Sequence, residues 1–271
     1  MKNQEKLSVI ILTYNEEKNL PQCLESIRGL AHETIVVDSF STDRTQAIAK
    51  EFGAKVHEHP FKNQADQFNW ALDNVEITGD WILKLDADEY ITPELKEEID
   101  NILRNTKGYE NTKFNGYYIK RRVYFMGRWI KHGGYYPIWF LRLWRKGKGR
   151  SEVKEMDEHI ILTDGEAGRL RHDFVDDNRK GLTDWTNKHN GYSTREARDY
   201  VAGYYSSGDK KVFYYRLPPF FRAFAYFCYR YFVRLGFLDG KEGLVFHFLQ
   251  ALWYRFLVDS KIYEQKSGRI H

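Results

Sequence analysis

Two carboxylates stand one residue apart in Trp81-Ile82-Leu83-Lys84-Leu85-Asp86-Ala87-Asp88-Glu89, directly after a run apolar enough to be a buried strand. In an extended chain Asp86 and Asp88 share a face, and a bend after Leu85 still lets both converge on one hard cation. A divalent ion held by so few protein oxygens keeps positions open for the phosphate oxygens of a ligand. The same residues also read as the approach to a helix, because Thr92-Pro93-Glu94 supplies a cap, an N1 proline and an early acid. What surrounds them has to separate the two readings.

Leu7 to Leu12 is apolar and β-branched, which suits a fully buried parallel strand. Thr13-Tyr14-Asn15-Glu16-Glu17 then breaks the run before a helical pattern on Leu20, Leu24 and Ile27 that ends at Gly29. Thr34 to Val37 is a second strand running into Asp38, and Thr42 or Asp43 caps a helix that reaches Phe52. Ala54 to His57 is a third strand, and Gln64 to Val75 a helix with Phe68, Ala71, Leu72 and Val75 inward. Such alternation predicts an α/β fold, a mostly parallel sheet flanked by helices with ligands beyond the strands' carboxyl ends. Thr13 to Glu16, Asp38 to Asp43 and Asp86 to Asp88 should then meet at one sheet edge. Acidic strand ends without a GxxxxGKS or GxGxxG loop point to phosphate binding through a metal.

At 271 residues the chain is long enough for one large domain or a domain with an appendage. Cys23 and Cys228 give no disulfide framework and suit a reducing compartment, and Met1 to Lys6 is too polar for a signal peptide. The net charge of +4, with no basic cluster, argues against nucleic acid as a partner. Phe114 to Phe125 and Pro137 to Trp144 read as strands around an irregular aromatic loop, Tyr124 to Tyr136, with Arg142 or Arg145 in reach of phosphate. Leu182 to Ala202 reads as a helix. From Phe220 to Leu235 the chain is nearly all apolar except that Arg222, Tyr226, Arg230 and Arg234 recur every four residues, one basic stripe on an apolar cylinder. Leu244 to Val258 behaves similarly, and neither run reaches the roughly 20 apolar residues of a spanning helix. Two such helices around a Gly236 to Gly243 turn suit a membrane interface, arginines against lipid phosphates, or a hairpin packed on the protein or in a homo-oligomer.

The run Ser8-Val9-Ile10-Ile11-Leu12-Thr13-Tyr14-Asn15-Glu16, then Ile35-Val36-Val37-Asp38-Ser39 with Ser41-Thr42-Asp43, then Asn69 and Leu85-Asp86-Ala87-Asp88-Glu89, resembles the inverting, nucleotide-sugar-dependent glycosyltransferases of family two, which have the GT-A fold. Tyr117-Tyr118-Ile119, Phe140-Leu141-Arg142-Leu143-Trp144-Arg145 and Met156-Asp157-Glu158-His159 are similar to a branch acting on bacterial lipopolysaccharide, O-antigen and capsule. Some relatives carry a basic residue just before the asparagine matched by Asn69; here it is Phe68, with no charge to offer a phosphate.

The resemblance implies a GT-A catalytic domain over residues 1–211, with nucleotide-sugar binding in residues 1–105 and the acceptor side in residues 106–211, followed by a helical region over 212–271. Thr13, Tyr14 and Glu16 would line the nucleoside pocket, Asp38 would accept the imide hydrogen of a uracil, and Asn69 and Arg142 would serve the nucleotide-sugar. Asp86 would sit near ribose and metal, and Asp88 would ligate Mg²⁺ or Mn²⁺ bridging the diphosphate. Inversion needs one base facing the acceptor hydroxyl, for which Asp157 and Glu158 both qualify; Glu158 matches the glutamate proposed as base in relatives. His172 would complete the metal shell or touch diphosphate, or be structural. The implied activity is metal-dependent transfer from a UDP-sugar to a lipid-linked or polysaccharide acceptor, on the inner face of the cell membrane. A non-catalytic nucleotide-sugar-binding module and a nucleotidyltransferase are the competing classes, and the missing glycine-rich basic loop argues against the latter.

Overall fold

The computed structural model describes residues 5–105, 114–152, 159–203 and 214–268. Asp157 and Glu158 therefore lie outside the described residues. The chain divides into two compact units, Met1–Arg122 with Pro137–Arg179, and Val123–Tyr136 with Lys180–His271.

In the first unit the order is β1 (Leu7–Thr13), α1 (Leu20–Ile27), β2 (Glu33–Asp38), α2 (Thr45–Glu51), β3 (Lys55–Glu58), α3 (Gln64–Asn74), β4 (Trp81–Asp86), β5 (Glu89–Ile91), α4 (Pro93–Asn105) and β6 (Phe114–Phe125). After β7 (Arg128–Ile130), which belongs to the second unit, come β8 (Ile138–Arg145), β9 (Gly149–Ser151), β10 (Ile160–Leu162) and β11 (Glu166–Asp177). The main sheet runs β3-β2-β1-β4-β8-β6-β11-β5. Its first four strands are parallel, and β8 on β4, β6 on β8 and β5 on β11 extend it antiparallel. The expected α/β sheet flanked by helices is thus present, with β1 at the switch point between β2 and β4.

Both faces of the parallel half are covered, which is why Val9 to Leu12 of β1 run apolar without alternating with polar residues. Leu7, Val9 and Ile11 face a core shared with Leu20, Leu24 and Ile27 of α1 and Leu95 and Ile99 of α4. Ile10 faces the opposite core, with Phe68 and Ala71 of α3 and Ile82 of β4. Each buried Leu or Ile side chain contributes about 1.5–3 kcal/mol.

One carboxylate ties three strand starts together at the far edge from the acids. Glu33 accepts from Ser8 Oγ at 2.6 Å, from the Thr78 amide at 2.6 Å and from Lys55 Nζ at 2.7 Å. Burial alone would raise its pKa, but the hydrogen bonds from Lys55, Ser8 and Thr78 hold it down at about 2. A depressed carboxylate contributes stability that is present above the unfolded value near 4.5 and lost as pH falls toward 2. Urea melts from pH 5 to 2.5 should therefore show a steeper loss for the wild type than for Glu33→Gln; parallel curves would count against this staple.

The second unit pairs β7 with Val123–Phe125 and adds α5 (Leu182–Val201), α6 (Phe221–Cys228), α7 (Gly240–His247) and α8 (Tyr254–Ser267). Wider π-helical turns follow α6 at Tyr229–Val233 and α7 at Phe248–Trp253, and a 3₁₀ turn covers Gly236–Asp239. Ala197 of α5 packs with Tyr254, Val258 and Ile262 of α8. This contact groups α5 with α8 in the second unit. Among the described residues no helix is long and apolar enough to cross a membrane.

Of the basic stripe of Phe220 to Leu235, Arg222 and Arg230 turn toward the protein and Arg234 is exposed. Arg222 is 2% exposed and its Nε donates to both oxygens of buried Asp259, at 2.8 and 3.0 Å. The Arg230 guanidinium lies 4.0 Å from the Tyr135 ring centroid. His247 is fully buried in a slot where a Cβ on Gly133 or Gly236 would fall 2.0 or 2.5 Å from its ring. Burial, helped by Arg230, lowers its pKa to about 4, so it is neutral at physiological pH.

Candidate active site

Register across the parallel strands sets the site, since Thr13 pairs with Asp38 across β1 and β2, and Leu12 with Asp86 across β1 and β4. Asn15 takes a left-handed conformation, φ 52°, in the turn after β1. Its amide N–H donates to Ser41 Oγ and its side-chain oxygen accepts from the Thr42 amide, both at 2.8 Å. The Glu16 amide donates to Thr45 Oγ1 at 2.7 Å, its carboxylate accepts from Asn19 Nδ2 at 2.7 Å, and Tyr14 stands exposed. Asp38 is fully buried and accepts from Thr13 Oγ1 at 2.7 Å, the Ser41 amide at 2.7 Å, Ser41 Oγ at 2.6 Å and Gln46 Nε2 at 2.9 Å. A nucleobase reaching this carboxylate must replace one of those donors.

Asp86-Ala87-Asp88 forms the turn from β4 into β5. It does not start a helix: Thr92 caps α4, its Oγ1 accepting from the Leu95 amide at 3.2 Å. The turn is held from below. Buried Glu89 accepts from the Asp86 amide at 2.9 Å and from Arg142 Nη2 at 2.6 Å. Arg142, also buried, lies 3.5 Å from Asp86 Oδ2 and 5.0 Å from the Phe174 ring centroid. Burial raises the Glu89 carboxyl to about 8, with Arg142 opposing the rise. Lys84, in the middle of β4, places Nζ 3.6 Å from Asp86 Oδ1 and 5.6 Å from the Phe68 ring centroid. A cation thus reaches the place beside Phe68 from the neighbouring strand.

Asp88 is half-buried, its Oδ2 accepting from Asn178 Nδ2 at 3.3 Å and its carbonyl from the Asp177 amide at 2.9 Å. The Arg179 amide continues this contact to Asn19 Oδ1 at 2.8 Å, so the end of β11 closes over the acidic turn. Cys23 Sγ sits 3.7 Å from the Asp86 carbonyl, and burial together with Glu89, Asp88 and Asp86 raises its thiol well above the usual range.

Two predicted site residues are engaged elsewhere. Asn69 clamps β9, donating to the Ser151 carbonyl and accepting from the Ser151 amide, both at 3.0 Å. The ladder β9–β10 is extended by the Glu152 amide donating to the His159 carbonyl at 2.9 Å, which brings together the flanks of the segment carrying Asp157 and Glu158. His172, on β11, has Nδ1 2.9 Å from Glu98 Oε2 of α4 and is not gathered with Asp86 and Asp88. Among the described residues, no three His, Cys, Asp or Glu side chains form a metal cluster. Asp86 and Asp88 still supply hard oxygen donors, a set that suits Mg²⁺ or Mn²⁺ when ligand phosphates and water complete the shell.

The model of the family described as glycosyl transferase family 2 matches residues 8–174. The lipopolysaccharide core biosynthesis glycosyltransferase LpsC of Rhizobium meliloti is 30% identical over 272 residues, covering 96% of this chain and 92% of that protein. An uncharacterized glycosyltransferase of Rickettsia felis is 29% identical over 267 residues, covering 92% and 88%. A solved structure of glucosyl-3-phosphoglycerate synthase from Mycobacterium tuberculosis, with Mn²⁺, UDP and glucosyl-3-phosphoglycerate, is 22% identical over 44% of each chain, with a TM-score of 0.35.

Proposed function

The chain belongs to glycosyl transferase family 2, and we propose that this glycosyltransferase moves a sugar from a UDP-sugar to a hydroxyl of a lipid-linked glycan, with inversion, in lipopolysaccharide core assembly. The observation that carries this reading is the acidic turn Asp86–Glu89 at the carboxyl ends of parallel strands, held by Arg142 beneath and Asn178 above. In this reading Thr13, Tyr14, Glu16 and Asp38 receive the nucleoside, the uracil imide taking over one donor position on Asp38. Asp88, with Asp86 beside it, would hold Mg²⁺ or Mn²⁺, which when bound neutralises charge on the departing diphosphate.

Arg142 acts here by positioning, since its guanidinium is occupied by Glu89 and Asp86. Glu158, or Asp157 next to it, takes the proton of the acceptor hydroxyl. Asn69 serves that base by anchoring the strand that leads to it. A lipid-linked acceptor places the enzyme at the cytoplasmic face of the cell membrane, as a peripheral protein.

A panel of UDP- and GDP-sugars should be screened for Mn²⁺-dependent hydrolysis, and the best donor then offered membrane lipid extracts. Hydrolysis of a UDP-sugar, and transfer to an extracted lipid, is the expected result. GDP preference would overturn the role given to Asp38, and turnover unaffected by chelator would overturn the metal reading. UDP binding with no turnover would leave a binding module, and pyrophosphate release from a nucleoside triphosphate a nucleotidyltransferase.

A further inference from the structure

The second unit wears its apolar side outward. Arg222 and Arg230 point in, to Asp259 and to Tyr135, while Phe224, Phe232 and Val233 on the same stretch are exposed. Leu235, Phe237 and Phe248 are exposed as well. Ring contacts join three of these into one surface: Tyr231 lies 5.1 Å from Phe232 and 6.3 Å from Phe237, and Phe227 lies 6.5 Å from both Phe232 and Phe248. Folding in water alone selects the opposite, with arginine outside and phenylalanine inside. The backbone is bent to this arrangement at both ends of the segment: Phe220 and Leu235 hold φ of 64° and 61°, a left-handed conformation that disfavours bulky side chains.

A contiguous exposed apolar surface marks a partner. Its charge indicates which one. Arg216, Arg234 and Lys241 are exposed on the same stretch, whereas of the two acids in residues 214–248 Asp239 is buried and Glu242 is half-buried. Aromatic rings bordered by cations match the boundary between headgroups and acyl chains of an anionic bilayer. We propose that Phe224, Phe232, Val233, Leu235, Phe237 and Phe248 form a face that enters this boundary in anionic membranes. The proposal deepens the peripheral placement given above and is independent of the chemistry at the acidic turn.

The test uses the full chain without donor, sedimented with phosphatidylcholine vesicles with and without phosphatidylglycerol. Binding should favour the anionic vesicles, and the double variant Phe232→Glu with Val233→Glu should bind them at least about tenfold more weakly with an unchanged thermal melt. As a second readout, Val233→Cys in a Cys228→Ala background carries an environment-sensitive dye, which should shift blue on binding and be quenched by brominated lipid chains. An unquenched dye, or equal sedimentation of wild type and double variant, overturns the proposal. So does a wild-type dimer that ignores vesicles and becomes monomeric in the double variant, which would assign the face to a second copy. Asp88→Ala should sediment like the wild type, so failure of the catalytic reading stays separable.

Discussion

Asp88→Ala should lower sugar transfer by roughly a thousandfold while moving the melting temperature little. The loss of activity follows from chemistry: a sugar leaving a nucleoside diphosphate builds negative charge that a bound divalent ion neutralises, and in the proposed reading Asp88 holds that ion. The small change in stability follows from structure, because Asp88 is half-buried at a turn and its Asn178 hydrogen bond is long, 3.3 Å. Its backbone carbonyl contact to the Asp177 amide survives the substitution. Steady-state kinetics over a Mn²⁺ series, beside a thermal melt, checks both effects. Activity above a tenth of wild type at saturating Mn²⁺ would remove Asp88 from the ligand set.

Arg142→Ala should cost stability as well as activity, about 3–5 kcal/mol, because it leaves Glu89 buried without its cation. The Glu89 carboxyl, already raised by burial to about 8 with Arg142 the main group opposing that, would climb further. A carboxylate whose folded pKa exceeds its unfolded value contributes stability at low pH that is lost as pH rises. Wild type shares this loss up to about pH 8, so denaturant melts of the variant should weaken relative to wild type chiefly above pH 8. Arg142→Leu combined with Glu89→Leu should recover much of the stability, because both charges leave together, yet stay impaired in transfer because the Asp86 amide has lost its acceptor. A double variant no more stable than Arg142→Ala would show that packing, not the buried charge, sets the loss.

The parallel half was legible in sequence because its signals are local: continuous apolar strands, helical spacing between them, and acids where each strand stops. The end of β11 was not, since Glu166–Asp177 is mostly polar and its last residues matter only through contacts with Asp88 and Asn19, far away in sequence. Lys84 was visible as a lysine inside an apolar strand, yet nothing local says that it points at Asp86. Four-residue spacing put Arg222, Tyr226, Arg230 and Arg234 on one side of a helix without saying which side faces the protein. That was decided by Asp259 and Tyr135, which no periodicity around residue 222 reveals.

Lys84 and Arg142 stand against Asp86 and Glu89, so part of the negative charge of the acidic turn is already offset from within the protein. Free Mn²⁺ meets little net attraction there and should bind weakly in a calorimeter, its affinity rising steeply once UDP brings its own negative charge. Under the proposed function ion and nucleotide would then be linked partners, each raising the other's occupancy.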